Sequence, residues 1–145
     1  MTAKEYLNQI YRLKIRIEAK TEQLQELRGL VSFSNGLRYD KERVQTSPKP
    51  GMPEEVDRMI DLEIELEREI NRYVQLKDTI IDQIGRLENP LYAQLLYKRY
   101  VLNNRLSDIA RSGGLRYSYR GINKLHKKAL LAFSEKYSKE FDEKS

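Results

Sequence analysis

The sequence predicts an all-α protein: a long antiparallel helical hairpin, or coiled coil, followed by a C-terminal unit of three short helices. Three observations predict it. Apolar residues recur at helical spacing over two long stretches, 3–31 and 53–87. The four prolines, Pro48, Pro50, Pro53 and Pro90, fall only in a connector or at helix starts. The composition, 34% charged and 39% hydrophobic, is that of long amphipathic helices.

The first helix is predicted from residue 3 to about 31. Tyr6, Ile10, Leu13, Ile17, Leu24, Leu27 and Val31 form a heptad seam, with Lys20 or Thr21 filling its one polar slot. Gly29 weakens the end, and Ser34-Asn35-Gly36 signals a turn. Residues 34–53 then read as an extended, mobile connector, because Pro48, Pro50 and Pro53 remove donors and fix φ.

Pro53-Glu54-Glu55 opens the second helix, with acids facing the positive end of its dipole. Its seam is Leu62, Leu66, Tyr73, Leu76, Ile80 and Leu87, with Glu69 and Gln83 in polar slots. Ile60, Ile64, Ile70, Val74, Ile81 and Ile84 widen the apolar face enough to suit more than one packing partner. Residues 54–88 carry net charge −6 and residues 1–53 carry +4, so the two arms of the hairpin (1–88) complement each other in sign. A dimer paired through this hairpin is the competing arrangement.

Asn89-Pro90 reads as N-cap and first residue of a third helix over 90–103, ended by Asn103-Asn104. Ser107 is expected to cap a short fourth helix through Ser112. A Gly113-Gly114 turn follows, and Ser118 is expected to cap a fifth helix whose Ile122, Leu125, Ala129 and Phe133 face inward. The domain is thus expected over 89–135, with 136–145 a frayed tail.

Several chemistries have no residues to support them. There is no Cys, so disulfides and thiolate metal sites are excluded, and His126 is the single histidine. No phosphate-binding glycine loop or zinc signature is present. An enzymatic role is therefore not expected, nor a cofactor or metal. No apolar run approaches the roughly 18 residues of a membrane span, and the first residues lack a signal-peptide core. A cytoplasmic protein with no membrane contact is expected.

The charge distribution is the sharpest functional signal. Between Lys98 and Lys128 nine basic residues stand against Asp108 alone, a net +8 in a chain whose total is +5. Such concentration on one small helical unit is the electrostatic footprint of nucleic-acid binding. On the fifth helix Arg120, Asn123, Lys124 and Lys127 are expected to project away from the Ile122-Leu125-Ala129 stripe. Tyr119, Arg120, Asn123 and Lys124, near the helix start, are candidates for base contacts in a major groove. Ser118, Lys127 and Lys128 suit phosphates, and Arg105, Arg111 and Arg116 suit the flanking backbone. Tyr117 and Tyr119 flank the cap and are candidates for stacking, whereas Tyr92, Tyr97 and Tyr100 are expected in packing roles.

Leu106-Ser107-Asp108-Ile109-Ala110, Tyr117-Ser118-Tyr119-Arg120 and Leu125-His126-Lys127-Lys128-Ala129-Leu130 together resemble region 4 of bacterial sigma-70-type factors. The layout resembles small phage and prophage proteins of Gram-positive bacteria that join an N-terminal coiled coil to a region-4-like helix-turn-helix, and these are similar to phage late-transcription regulators. The resemblance implies sequence-specific binding of double-stranded DNA in a bacterial host cell, with host RNA polymerase as a further partner. Residues 111–116 make the turn longer than in those relatives, which bears on the angle between the two helices. Two alternatives stay open: a coiled-coil adaptor whose helix-turn-helix no longer reads DNA, and a small-terminase-like packaging protein.

Overall fold

A capping box opens the first helix. The Thr2 hydroxyl accepts from the Glu5 amide at 3.1 Å, and the Glu5 carboxylate accepts from the Thr2 amide at 3.2 Å. The computed structural model describes residues 1–42, 52–112 and 114–142. Among these it is all-helical, without a strand: α1 (Ala3–Glu42), α2 (Met52–Gly85), α3 (Pro90–Leu96), α4 (Leu106–Ser112) and α5 (Tyr119–Asp142), with a π-helical segment, Tyr97–Val101, continuing α3. No helix among the described residues is long and apolar enough to cross a membrane.

Two boundaries differ from expectation. Helix α1 runs through Ser34-Asn35-Gly36 to Glu42, so residues 34–42 are helix and not connector. Once a helix is nucleated, each further residue adds a hydrogen bond, and the two glycines Gly29 and Gly36, at about 1 kcal/mol each, do not stop it. The Pro-rich remainder of the connector, 43–51, lies outside the described residues, as do Gly113 and 143–145. Helix α5 continues to Asp142, so most of the expected frayed tail is ordered. Tyr137 and Phe141 extend the Phe133 stripe at four-residue steps and are buried.

The chain divides into two compact units, Met1–Leu13 with Tyr73–Ser145, and Lys14–Arg72. In the second, α1 and α2 pack antiparallel: Lys20 pairs with Glu69 at 2.9 Å and Glu65 at 3.5 Å, whereas the later Arg28 pairs with the earlier Glu63 at 3.1 Å. Leu24, Val31 and Leu66 are buried there, and Ile60, Ile64 and Ile70 are exposed. The wide apolar face of α2 is thus only partly covered within this unit.

The first unit has two apolar clusters. In the larger, Tyr6, Leu7 and Ile10 of α1 meet Ile80 and Ile84 of α2, Leu96, Tyr100, and Ala129, Phe133, Tyr137 and Phe141 of α5. Its aromatic centre sets the Tyr6 ring 5.2 Å from Phe141 and 6.0 Å from Phe133. The Tyr6 hydroxyl donates to buried Gln83 at 2.8 Å, and the Gln83 amide in turn donates to Glu140. Burial raises the Tyr6 pKa, with Glu140 adding to the rise and the Gln83 bond opposing it. The smaller cluster joins Leu95, Ile109, Leu115 and Ile122, and it holds α4 against α3 and α5.

Candidate nucleic-acid interface

Local sequence fixes the three short elements. Asn89 caps α3, its side chain accepting from the Leu91 amide at 2.9 Å, with Pro90 in the first turn. The expected single helix over 90–103 instead widens at Tyr97–Val101, where the Leu102 amide reaches the Tyr97 carbonyl at 3.0 Å. Asn103 then turns the chain at φ +60°, a conformation asparagine tolerates. Helix α4 begins at Leu106, so Ser107 sits inside its first turn and does not cap it.

The turn between α4 and α5 is pinned by one apolar residue. Leu115 is buried beside Ile109 and Ile122. Gly114 at φ +76° and Arg116 at φ +60° bracket it. The arginine holds a left-handed conformation that costs an L-residue about 1–2 kcal/mol. The sequence reading missed Leu115; a lone apolar residue between two glycines and an arginine was the available signal.

Ser118 caps α5 as expected, its Oγ accepting from the Gly121 amide at 3.1 Å. Its hydroxyl hydrogen remains available to an acceptor such as a phosphate. Gly121 has a packing reason: a Cβ there would lie 3.3 Å from Tyr117 Cδ1 and 3.4 Å from Ser118 Oγ, so the glycine lets the Tyr117 ring lie over the first turn.

Ile122, Ala129 and Phe133 are fully buried on one side of α5. On the other, Arg120, Lys124, Lys127 and Lys128 are exposed, as are Arg105, Arg111 and Arg116 before it. Among the described residues none of these seven cations is in an ion pair with a carboxylate. Tyr119 is exposed, and Tyr117 partly so. Asn123 differs from the rest: it is half-buried, and its amide donates to the Tyr119 carbonyl at 2.9 Å. Reading a base through Asn123 would require a rotamer change that breaks this bond.

Tyr100 and His126 are structural. The Tyr100 hydroxyl and His126 Nε2 share a 2.7 Å hydrogen bond, with both residues buried. Burial first, then the charges of Arg99 and Lys4, push the His126 pKa down to about 4. Burial pushes the Tyr100 hydroxyl up to about 12, against the pull of Arg99, whose guanidinium lies 5.5 Å from the ring centroid. The pair is therefore neutral at physiological pH and closes the base of the cationic helix. Tyr92 is half-buried and Tyr97 partly exposed. No protein family, characterised protein or solved structure matches this chain.

Proposed function

We propose that the chain is a sequence-specific double-stranded DNA-binding protein, a phage-type transcriptional regulator that uses α4, the Leu115 turn and α5 as its helix-turn-helix. One observation carries the reading: seven exposed cations without ion-pair partners among the described residues lie at the start of α4 and within it, in the turn and in the first turns of α5, while the opposite face of α5 is buried. Arg120 and Lys124, nearest the helix start, reach base edges. Lys127, Lys128, Arg105, Arg111 and Arg116 hold phosphates. Dimerisation through the helical hairpin would set the spacing of paired half-sites, and host RNA polymerase is the partner through which a bound regulator acts.

The test is selection from a random duplex DNA pool across a salt series, comparing wild type with the Arg120→Ala/Lys124→Ala double variant. The expected result is an enriched sequence that the double variant loses. Log affinity should fall against log salt with a slope of about −0.9 per phosphate contact, so on the order of −4 or steeper for the phosphate-contacting set. Absence of binding at low salt, or binding indifferent to both substitutions, overturns the reading.

A further inference from the structure

Helix α5 carries a second feature that DNA contact does not use. Its cationic face, Arg120, Lys124 and Lys127 at steps of four and three, continues one turn further to Leu131. Leu131 is 61% exposed, a large apolar side chain where a phosphate-holding face would gain nothing from one. It lies about 16 Å along the helix from Arg120, at 1.5 Å per residue, and so beyond the first turns that reach bases.

Leu131 is the lip of a groove. The first turn of α1 and the middle and end of α5 border an open depression of about 470 Å³, with Ala3, Leu130 and Phe141 among the apolar lining. Among the described residues the charged side chains lining it are Lys4 from α1 and Lys127 from α5, with no carboxylate. Lys128 adds a further exposed cation three residues before Leu131. An apolar floor between two lysines matches a ligand with the inverse pattern: one apolar side chain to fill the groove and acids on either side to meet the rim.

We propose that this groove is a docking site for an acidic amphipathic helix of a partner protein. A Leu, Ile, Phe or Trp of that helix covers Leu131 and the exposed part of Leu130, and carboxylates within one turn of it meet Lys4 and Lys127. The surface lies beyond the base-reading start of α5 but shares Lys127 with the phosphate-holding set, so a docked partner and bound DNA meet at that lysine.

The probe is a displayed library of random 16-residue peptides selected against the full-length chain. The expected outcome is enrichment of peptides with Asp or Glu within four positions of a large apolar residue. A synthetic copy should then lose about ten-fold or more in affinity to Leu131→Glu, and about five-fold to Lys4→Glu with a reduced salt dependence. Both positions are exposed, and circular dichroism with a wild-type urea midpoint establishes that each variant is folded; Leu131→Ala gives a milder second reading in the same direction. Failure to enrich any peptide, enrichment of peptides without acids, or equal binding to Leu131→Glu overturns the proposal. Loss of DNA selection by the wild type with peptide binding intact would instead sink the DNA reading alone.

Discussion

His126 shows how much one side chain can say about pH. In the folded chain its pKa is lowered to about 4, because burial and the neighbouring cations Arg99 and Lys4 disfavour a third positive charge. The unfolded chain takes the proton near 6.5, so between pH 6.5 and 4 it binds more protons than the fold does, and stability falls as pH falls. Above 6.5 both states are neutral and the contribution is constant; below about 4 both are charged and the loss is complete, at roughly 3 kcal/mol for a shift of this size. His126→Gln keeps a hydrogen-bonding partner for the Tyr100 hydroxyl but does not titrate. Urea titrations at pH 7 and pH 4.5 should therefore show wild type losing clearly more stability than His126→Gln. Equal losses in the two proteins would mean that protonation of His126 costs the fold nothing.

At the scale of elements, the polar interruptions in the seams turn out to be paired. Lys20, in the polar slot of the first seam, meets Glu69, in a polar slot of the second. Tyr6 likewise meets Gln83. Polar groups at seam positions penalise slipped registers, since a slip leaves them against apolar neighbours. Both slots were legible in the sequence; their partnership was not, because periodicity gives faces and not registers. Caps read well for the same local reason. Asn89-Pro90 and Ser118 each satisfy amides within three residues, whereas Ser107 misled because α4 gains a turn residue from packing Leu106 and Ile109 into the Leu95 cluster. The cationic face of α5 was legible from spacing alone. The Leu115 anchor, the Asn123 self-bond and the Leu131 groove were not, since each depends on what another element presents. Asn89→Ala tests the value of one cap: it removes the acceptor of the Leu91 amide and should lower stability by about 1 kcal/mol, with helical content nearly unchanged. A urea midpoint identical to wild type would show that water replaces the cap without cost.

At the scale of the molecule, the two ends of the chain meet in one core. Tyr6 from the first helical turns packs with its ring centroid 5.2 Å from that of Phe141 near the end of α5, with Phe133 and Tyr137 alongside. Periodicity in a short charged segment such as Lys136–Asp142 is too brief to announce this, and so it reads as a tail that frays; what orders it is apolar surface contributed from the far end of the sequence. The consequence is measurable. Ending the chain at Glu135 removes Tyr137 and Phe141 and uncovers Tyr6, Leu7 and Phe133. Emptying one buried aromatic site costs about 3–5 kcal/mol, and each kcal/mol is worth roughly 2–4 °C in a chain of this size. The truncated protein should melt on the order of 10 °C or more below wild type by circular dichroism. Phe141→Ala alone should account for a large share of that fall, and Lys139→Ala, on an exposed position of the same turn, for almost none. A truncated chain melting with wild type would mean that the last two turns of α5 contribute no core. Because the aromatic centre also carries Ala129 and Phe133 of the cationic helix, the same truncation should weaken DNA binding without removing any of the seven cations, through the loosened seating of α5.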